Sequence, residues 1–415
     1  TSALSLFIRL FSRSLILSSM ENLRVLVSEI AYARNHTKLS PLQRSLIPVL
    51  SFASSLYGLA LSLRHYLYHL GIFRKHRLPV PVISVGNLTW GGNGKTPMVE
   101  FIARWLADSG ISPLILTRGY AGGDEARMLV RHLLGGPAKI GVGANRAAVA
   151  ASYFEKYGHV DPRSSTSYER LCLNKVESHL NSEKVGAVIL DDGMQHWSLH
   201  HDLEIVMVNG LVLWGSCHLL PLGPLREPLT ALKRADVAVI HHADMVSEQG
   251  LKDAELMIRE VKESLPIFYT RMTPSNFFEV SNINSKLPLG VLCNAIILCV
   301  SAIGSANAFV NAIEKIGASF VDRLDFSDHH IFQARDVDLI RRRLEELEDK
   351  FGSKPVVVVT EKDYDRDREI FKGLHPSKVL VLCSALEFPS QKGCTEKGFK
   401  KLLEESLGVK LRGLN

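Results

Sequence analysis

Between positions 91 and 97 the chain reads Gly-Gly-Asn-Gly-Lys-Thr-Pro. Glycines there let backbone N–H groups close around a chain of phosphate oxygens, because no Cβ stands in the way. Lys95 can reach the β- and γ-phosphates, and the Thr96 hydroxyl can hold Mg²⁺. The nucleotide-binding candidates are therefore Gly91, Gly92, Asn93, Gly94, Lys95, Thr96 and Pro97. Such a loop usually carries a further glycine at position 89, where this chain has Thr89. An ordinary glycine-rich βα turn is the plainer alternative, but the Lys95-Thr96 pair favours nucleotide binding. A second group is Asp191-Asp192-Gly193, at the end of an apolar run, where a P-loop enzyme places its metal-linked carboxylate. Arg118 and Arg146 are candidates for phosphate oxygens, which guanidinium groups fit in shape and charge; a structural ion pair competes equally for each.

These residues need elements to hold them. Val80 to Val85 is short, apolar and β-branched, a buried strand, and Met98 to Leu106 is an amphipathic helix. Strand, glycine turn and helix together aim amide groups and a positive helix end at one anion. Further strands are expected at 113–117, 138–143, 185–190, 203–208, 235–240 and 266–270, with helices after position 145 and over 247–264. Residues 155–184 are polar and irregular, with helix expected near 167–180. Polar and glycine residues follow the apolar strands at 118–125 and 191–196, the carboxyl edge where α/β sheets bind ligands. Leu219 to Pro228 is too proline-rich for regular structure. Its Arg226-Glu227 pair reads equally as a rigid site element or a solvated corner. From position 291 strands and helices alternate again, to a closing helix at 394–408. The expected fold class is α/β: a P-loop NTPase-like parallel sheet domain over 79–265, a smaller α/β domain over 266–415, and an N-terminal interfacial helix.

A hydrophobic content of 46% with 22% charged residues, over 415 residues, supports two globular domains with full cores. The net charge of +6 is unevenly placed: positions 1–80 hold ten Lys or Arg against only Glu21 and Glu29. A basic head suggests targeting, a membrane surface or an anionic substrate. No nucleic-acid-binding motif accompanies it, so no nucleic-acid partner is expected. The six cysteines contain no Cys-x-x-Cys pair, which fits free thiols in a reducing compartment.

Residues 1–19 are rich in Ser and Leu, carry Arg9 and Arg13 and no acid, a transit-peptide composition within a targeting-like extension over 1–40. A mitochondrion is the expected destination, a plastid the other. Ser45 to Leu63 is uncharged, long enough to cross a bilayer, but interrupted by Pro48, Gly58 and several serines and flanked by Arg44, Arg64, Arg74, Lys75 and Arg77. A basic amphipathic helix within 41–78, lying on a membrane surface through residues 42–70, fits better than a span.

Taken together, Leu78 to Thr89, Gly91 to Pro97, Thr117-Arg118-Gly119-Tyr120, Gly123-Asp124-Glu125, Asp191 to His196, Leu220 to Pro228, Asp328-His329-His330 and Thr360-Glu361-Lys362-Asp363 resemble the tetraacyldisaccharide 4′-kinase (lipid A 4′-kinase) family, in order over about residues 42–365. Thr89 is what that family carries. The resemblance implies ATP- and Mg²⁺-dependent phosphorylation of the 4′-hydroxyl of an acylated disaccharide 1-phosphate lipid. It implies that Asp124 is the catalytic carboxylate, paired with either His329 or His330, and that Lys95 serves catalysis. Asp191, Asp192 and Glu227 fall, with Thr96, on the residues around Mg²⁺. The chemistry agrees: a sugar hydroxyl must lose its proton as it attacks, and a carboxylate held by a histidine can accept it. The rival class is a P-loop GTPase or ATPase acting as a metallochaperone or assembly switch. Against it, the guanine-reading Asn-Lys-x-Asp is absent: Asn174-Lys175-Val176-Glu177 has the wrong acid.

Overall fold

A computed structural model describes residues 23, 25–33, 38–119, 123–160, 183–328, 330–389 and 394–412. The leader over 1–19, the helix expected near 167–180, Tyr120 and His329 lie outside the described residues.

Strand β1 (Val82–Gly86) is buried along its whole length, as are β4 (Val185–Asp191), β5 (Leu203–Asn209) and β6 (Val237–His241). Unbroken apolar strands of this kind are covered on both faces, the mark of a parallel sheet between helix layers. β1 pairs in parallel with β4 on one side and β5 on the other, setting Val85 opposite Asp191 and Gly86 opposite Val206. Outward from β4 come β2 (Ser112–Thr117) and β3 (Lys139–Val142); outward from β5 come β6 and β7 (Ile267–Glu279). The chain's chemistry therefore gathers at the carboxyl ends of β1 and β4, side by side.

On one face α2 (Lys95–Asp108) presents Met98, Val99, Ile102 and Leu106 to Ile83 and Val85. Between β2 and β3 runs α3 (Asp124–His132), and α4 (Arg146–Tyr157) covers the other face. α5 (Glu248–Val261) packs Leu251, Ala254 and Ile258 beside β6.

The expected boundary at 265/266 falls at the start of β7, which serves both halves. Its first residues run parallel to β6, and Arg271 to Glu279 turn to antiparallel pairing with β12 (Val379–Glu387). β8 (Asn282–Leu287) pairs with β7, and the sheet continues through β11 (Val356–Thr360), β9 (Ile296–Ser301) and β10 (Phe320–Asp325). This half carries α6 (Ala306–Ile316), α7 (Ala334–Phe351), α8 (Glu361–Arg366) and α9 (Arg368–Lys372). The closing helix α10 (Glu396–Arg412) returns to the first half, where Phe399, Leu403 and Leu407 join the core of β1 and α2.

The long N-terminal helix α1 (Pro41–His69) starts at a Ser40–Gln43 capping box. Its Ser54 and Tyr57 hydroxyls donate to the carbonyls of Leu219 and Arg226, and Arg64 donates to that of Gln195.

Candidate active site

The loop from Trp90 to Lys95 is shaped by two left-handed glycines, Gly91 (φ 98°) and Gly94 (φ 76°). Gly94 caps α2 without any side-chain hydrogen bond, which leaves the first amides of the helix to an incoming anion. A Cβ at Gly94 would lie 2.6 Å from the His241 ring, so glycine is required there by both strain and space. Thr89 does the work of a tether: Asn93 Nδ2 donates to its Oγ1 at 3.1 Å, and Asn209 Nδ2, from the end of β5, donates to Gly92 O at 3.0 Å. The proline-rich stretch 219–228 is a strap along this loop. Trp90 N donates to Pro224 O and Arg226 N to Leu88 O, and Thr89 bridges Leu225.

That strap delivers Arg226 into the site. Its Nη1 donates to both carboxylate oxygens of Asp192, at 2.8 and 2.7 Å, while Lys95 Nζ stands 3.7 Å from Asp192 Oδ1. Asp192 itself has φ of 55°, unusual for a non-glycine residue and common where a site imposes its geometry. Arg146 donates to the carbonyls of Asp191 (2.7 Å) and Asp192 (3.0 Å), fixing the backbone of both acids. Burial pushes Asp192 upward, but Lys95 and Arg226 outweigh it and hold the carboxyl at about 2. Asp191 goes the other way, to about 7, chiefly by burial and then by Glu125; Lys95 and Arg146 oppose the rise. Its Oδ1 is buried with no hydrogen-bond partner among the described residues.

An orphaned carboxylate oxygen beside a P-loop is suited to a hard divalent cation, which takes oxygen ligands and keeps few protein contacts. Asp191 and Thr96 could hold such an ion, with nucleotide phosphates completing it. Among the described residues no cluster of three His, Cys, Asp or Glu could hold a metal ion.

A cleft of about 1980 Å³ opens over these groups, lined from both halves of the sheet. Lys95, Thr96, Arg118, Arg146, Asp191 and Asp192 line it from one side; Gly304, Asp328 and Lys362 line it from the other. A Cβ at Gly304 would lie 3.3 Å from Gly92 N, so the turn after β9 rests directly on the phosphate loop.

A sequence model described as tetraacyldisaccharide-1-P 4′-kinase matches residues 46–404. A protein of Arabidopsis thaliana named probable tetraacyldisaccharide 4′-kinase, mitochondrial, is 59% identical over 391 residues, 94% of this chain and 99% of its own. The chain belongs to the tetraacyldisaccharide 4′-kinase family. Bacterial tetraacyldisaccharide 4′-kinases agree: that of Syntrophus aciditrophicus is 34% identical over 86% of this chain and 92% of its own, and that of Halothermothrix orenii 32% over 76% and 81%. The fold is that of LpxK from Aquifex aeolicus, solved in complex with ATP, with a TM-score of 0.57 at 23% identity, over 88% of this chain and 99% of the other.

Within this 4′-kinase fold the expected site residues separate into groups. Gly91, Gly92, Asn93, Gly94, Lys95, Thr96, Pro97, Arg118, Arg146, Asp191 and Asp192 all line the one cleft. Glu227 is not among its lining residues. Arg234 Nη2 donates to its Oε2 at 2.6 Å and Trp197 Nε1 to its Oε1 at 3.3 Å, so this buried acid has its own polar partners. Asp124 opens α3 after the left-handed Gly123, while its side chain lies outside the described set; its neighbour Glu125 lines the cleft. His330 Nε2 meets Asp336 Oδ2 at 2.9 Å and its ring stacks on Phe326, which fastens it to the start of α7. Of the Arg226-Glu227 pair, which in the sequence reads equally as a rigid site element or a solvated corner, Arg226 is a site element, the clamp on Asp192. The roles of Glu125, the charge beside Asp191, and Lys362, whose Nζ lies 3.7 Å from Glu125 Oε1, were not assigned from the sequence.

Proposed function

We propose that this chain transfers the γ-phosphoryl group of ATP to the 4′-hydroxyl of a tetraacyldisaccharide 1-phosphate. The supporting observation is the junction of Lys95, Asp192 and Arg226 beneath an open helix N-terminus, in a chain matched to that family over residues 46–404.

Phosphoryl transfer asks mainly for positioning and charge neutralisation. The amides of residues 91–96 cradle the phosphates, Lys95 neutralises the oxygens between the β- and γ-phosphorus, and Arg118, exposed at the end of β2, meets charge at the cleft mouth. Mg²⁺, held by Asp191 and Thr96, with Asp192 kept ionised beside Lys95, supplies further charge neutralisation when bound. The 4′-oxygen attacks phosphorus as the bond to the ADP oxygen breaks, and the hydroxyl proton passes to Asp124. One histidine of the pair at 329–330, which follows the cleft-lining Asp328, is the partner of that carboxylate. The acyl chains remain in a membrane to which α1 lends its apolar face, on a mitochondrial membrane as the name of the Arabidopsis relative indicates.

The test is purified protein with radiolabelled ATP and a disaccharide 1-phosphate acceptor. Label should reach the acceptor and should be lost in Lys95→Ala and Asp124→Ala. GTP turnover that ignores the acceptor would instead favour an assembly switch.

A further inference from the structure

The segment Thr360 to Arg366 carries a sequence pattern that the reaction above leaves without a task. Its acids are deeply buried: Asp363 and Asp365 have no exposed surface and Glu361 is 8% exposed. Such burial is costly unless every charge is matched, so the partners identify the purpose.

The partners lie along α3. Arg131 donates to Asp365 Oδ2 (2.8 Å) and to Glu361 Oε1 (2.8 Å). His132 stands between Glu361 Oε1 at 2.7 Å and Glu100 Oε2 of α2 at 2.6 Å. Arg127 Nη1 donates to the carbonyls of Asp365 and Arg366, at the carboxyl end of α8 where helix carbonyls lack helical partners. Lys362 reaches Glu125 in the first turn. Thus α8 grips α3 at four positions, Glu125, Arg127, Arg131 and His132, and through His132 it also grips the helix that begins at Lys95. The same segment holds the turn over the phosphate loop. Asp363 Oδ2 accepts from Ala302 N at 3.2 Å and Arg366 Nη1 donates to Ala302 O at 3.3 Å, two residues before Gly304.

We propose that Thr360–Arg366 is the positioning element of the transfer site, with Glu361, Lys362 and Asp365 as positioning residues. It fixes the angle of α3, and so of Asp124 and Glu125 at its head, against the phosphate loop. A nine-residue helix is rigid over its ~14 Å length, so a grip at Arg131 and His132 sets its other end. This inference rests on the kinase reading, in which the residue at the head of α3 receives the proton.

Glu361→Gln keeps the shape and removes the charge shared by Arg131 and His132. Acceptor kcat should fall about 10- to 100-fold, as misplacement by about 1 Å does, with the KM for ATP within about twofold. Lys362→Gln, at a partly exposed position, should keep its melting temperature and still lose kcat several-fold. Arg131→Lys should recover more kcat than Arg131→Gln. Loss of kcat only in proportion to unfolded protein, or full kcat in Lys362→Gln with Arg131→Gln equal to Arg131→Lys, would overturn the proposal while wild-type transfer stands. Wild-type protein unable to transfer phosphate overturns the kinase reading itself, and this inference with it.

Discussion

Gly94 and Asp192 show how single residues set this site. Gly94 combines a positive φ with a ring of His241 where its Cβ would stand. Gly94→Ala should impose ~1–3 kcal/mol of local strain and displace the amides that face the phosphates. ATP affinity, read by calorimetry, should drop about tenfold or more, while circular dichroism stays that of the wild type. Asp192 faces two cations and stays ionised down to about pH 2. Asp192→Asn should leave Lys95 and Arg226 repelling one another and free to move. Transfer should fall ~10²-fold, and Arg226→Met should lose much less, because Lys95 keeps its counter-charge. Equal losses in the two variants would assign Arg226 a direct contact with phosphate instead.

Among elements, the junction of α2, α3 and α8 is where pH should act on stability. His132 is buried between Glu100 and Glu361; burial alone would lower it, but the two carboxylates win and raise it to about 9 from 6.5. The folded value lies above the unfolded one, so the contribution is complete below about pH 6.5 and is lost as pH rises through about 9. Melting temperature should therefore decline between pH 7 and 10, and His132→Gln should flatten that slope. A decline of equal steepness in the variant would place the cause elsewhere. This junction was invisible in the sequence for a physical reason. The helix α3 buries Ala126, Met128 and Leu129, but it meets α8 through the charged side chains of its polar face, whose partners lie some 230 positions away. The strands β1, β2, β4, β5 and β6 were legible, since each is a continuous apolar run covered on both faces. The second part of β7 was not: Arg271 to Asn276 is polar and includes Pro274, and only antiparallel pairing with β12 extends it. In the site, Lys95, Asp191 and Asp192 could be read because each ends a strand or starts a helix. The convergence of Arg226, Glu125 and Lys362 depends on where the strap and α8 dock.

At the scale of the whole molecule, we propose that α1 lies on a membrane surface. Val49, Phe52, Leu56, Leu59, Leu63 and Tyr66 are between 52% and 68% exposed and recur every three or four residues, so they form one stripe. By length and composition α1 could cross a bilayer. Its opposite face argues against that, because Ser54, Tyr57 and Arg64 are hydrogen-bonded to the protein. A span would strip those bonds and pull the strap from the phosphate loop, whereas lying in the interface keeps them and buries the stripe. Each large apolar side chain so buried contributes up to about 1.5–3 kcal/mol, and Arg64, Arg74 and Lys75 add attraction to anionic lipid. The double variant Phe52→Asp and Leu59→Asp should therefore lose at least about tenfold in partition to anionic phospholipid vesicles, measured by co-sedimentation, with its melting temperature kept. Alkaline carbonate should strip the wild-type protein from membranes. Protein that resists carbonate would have to span the bilayer, and Tyr57 could then no longer hold the carbonyl of Arg226.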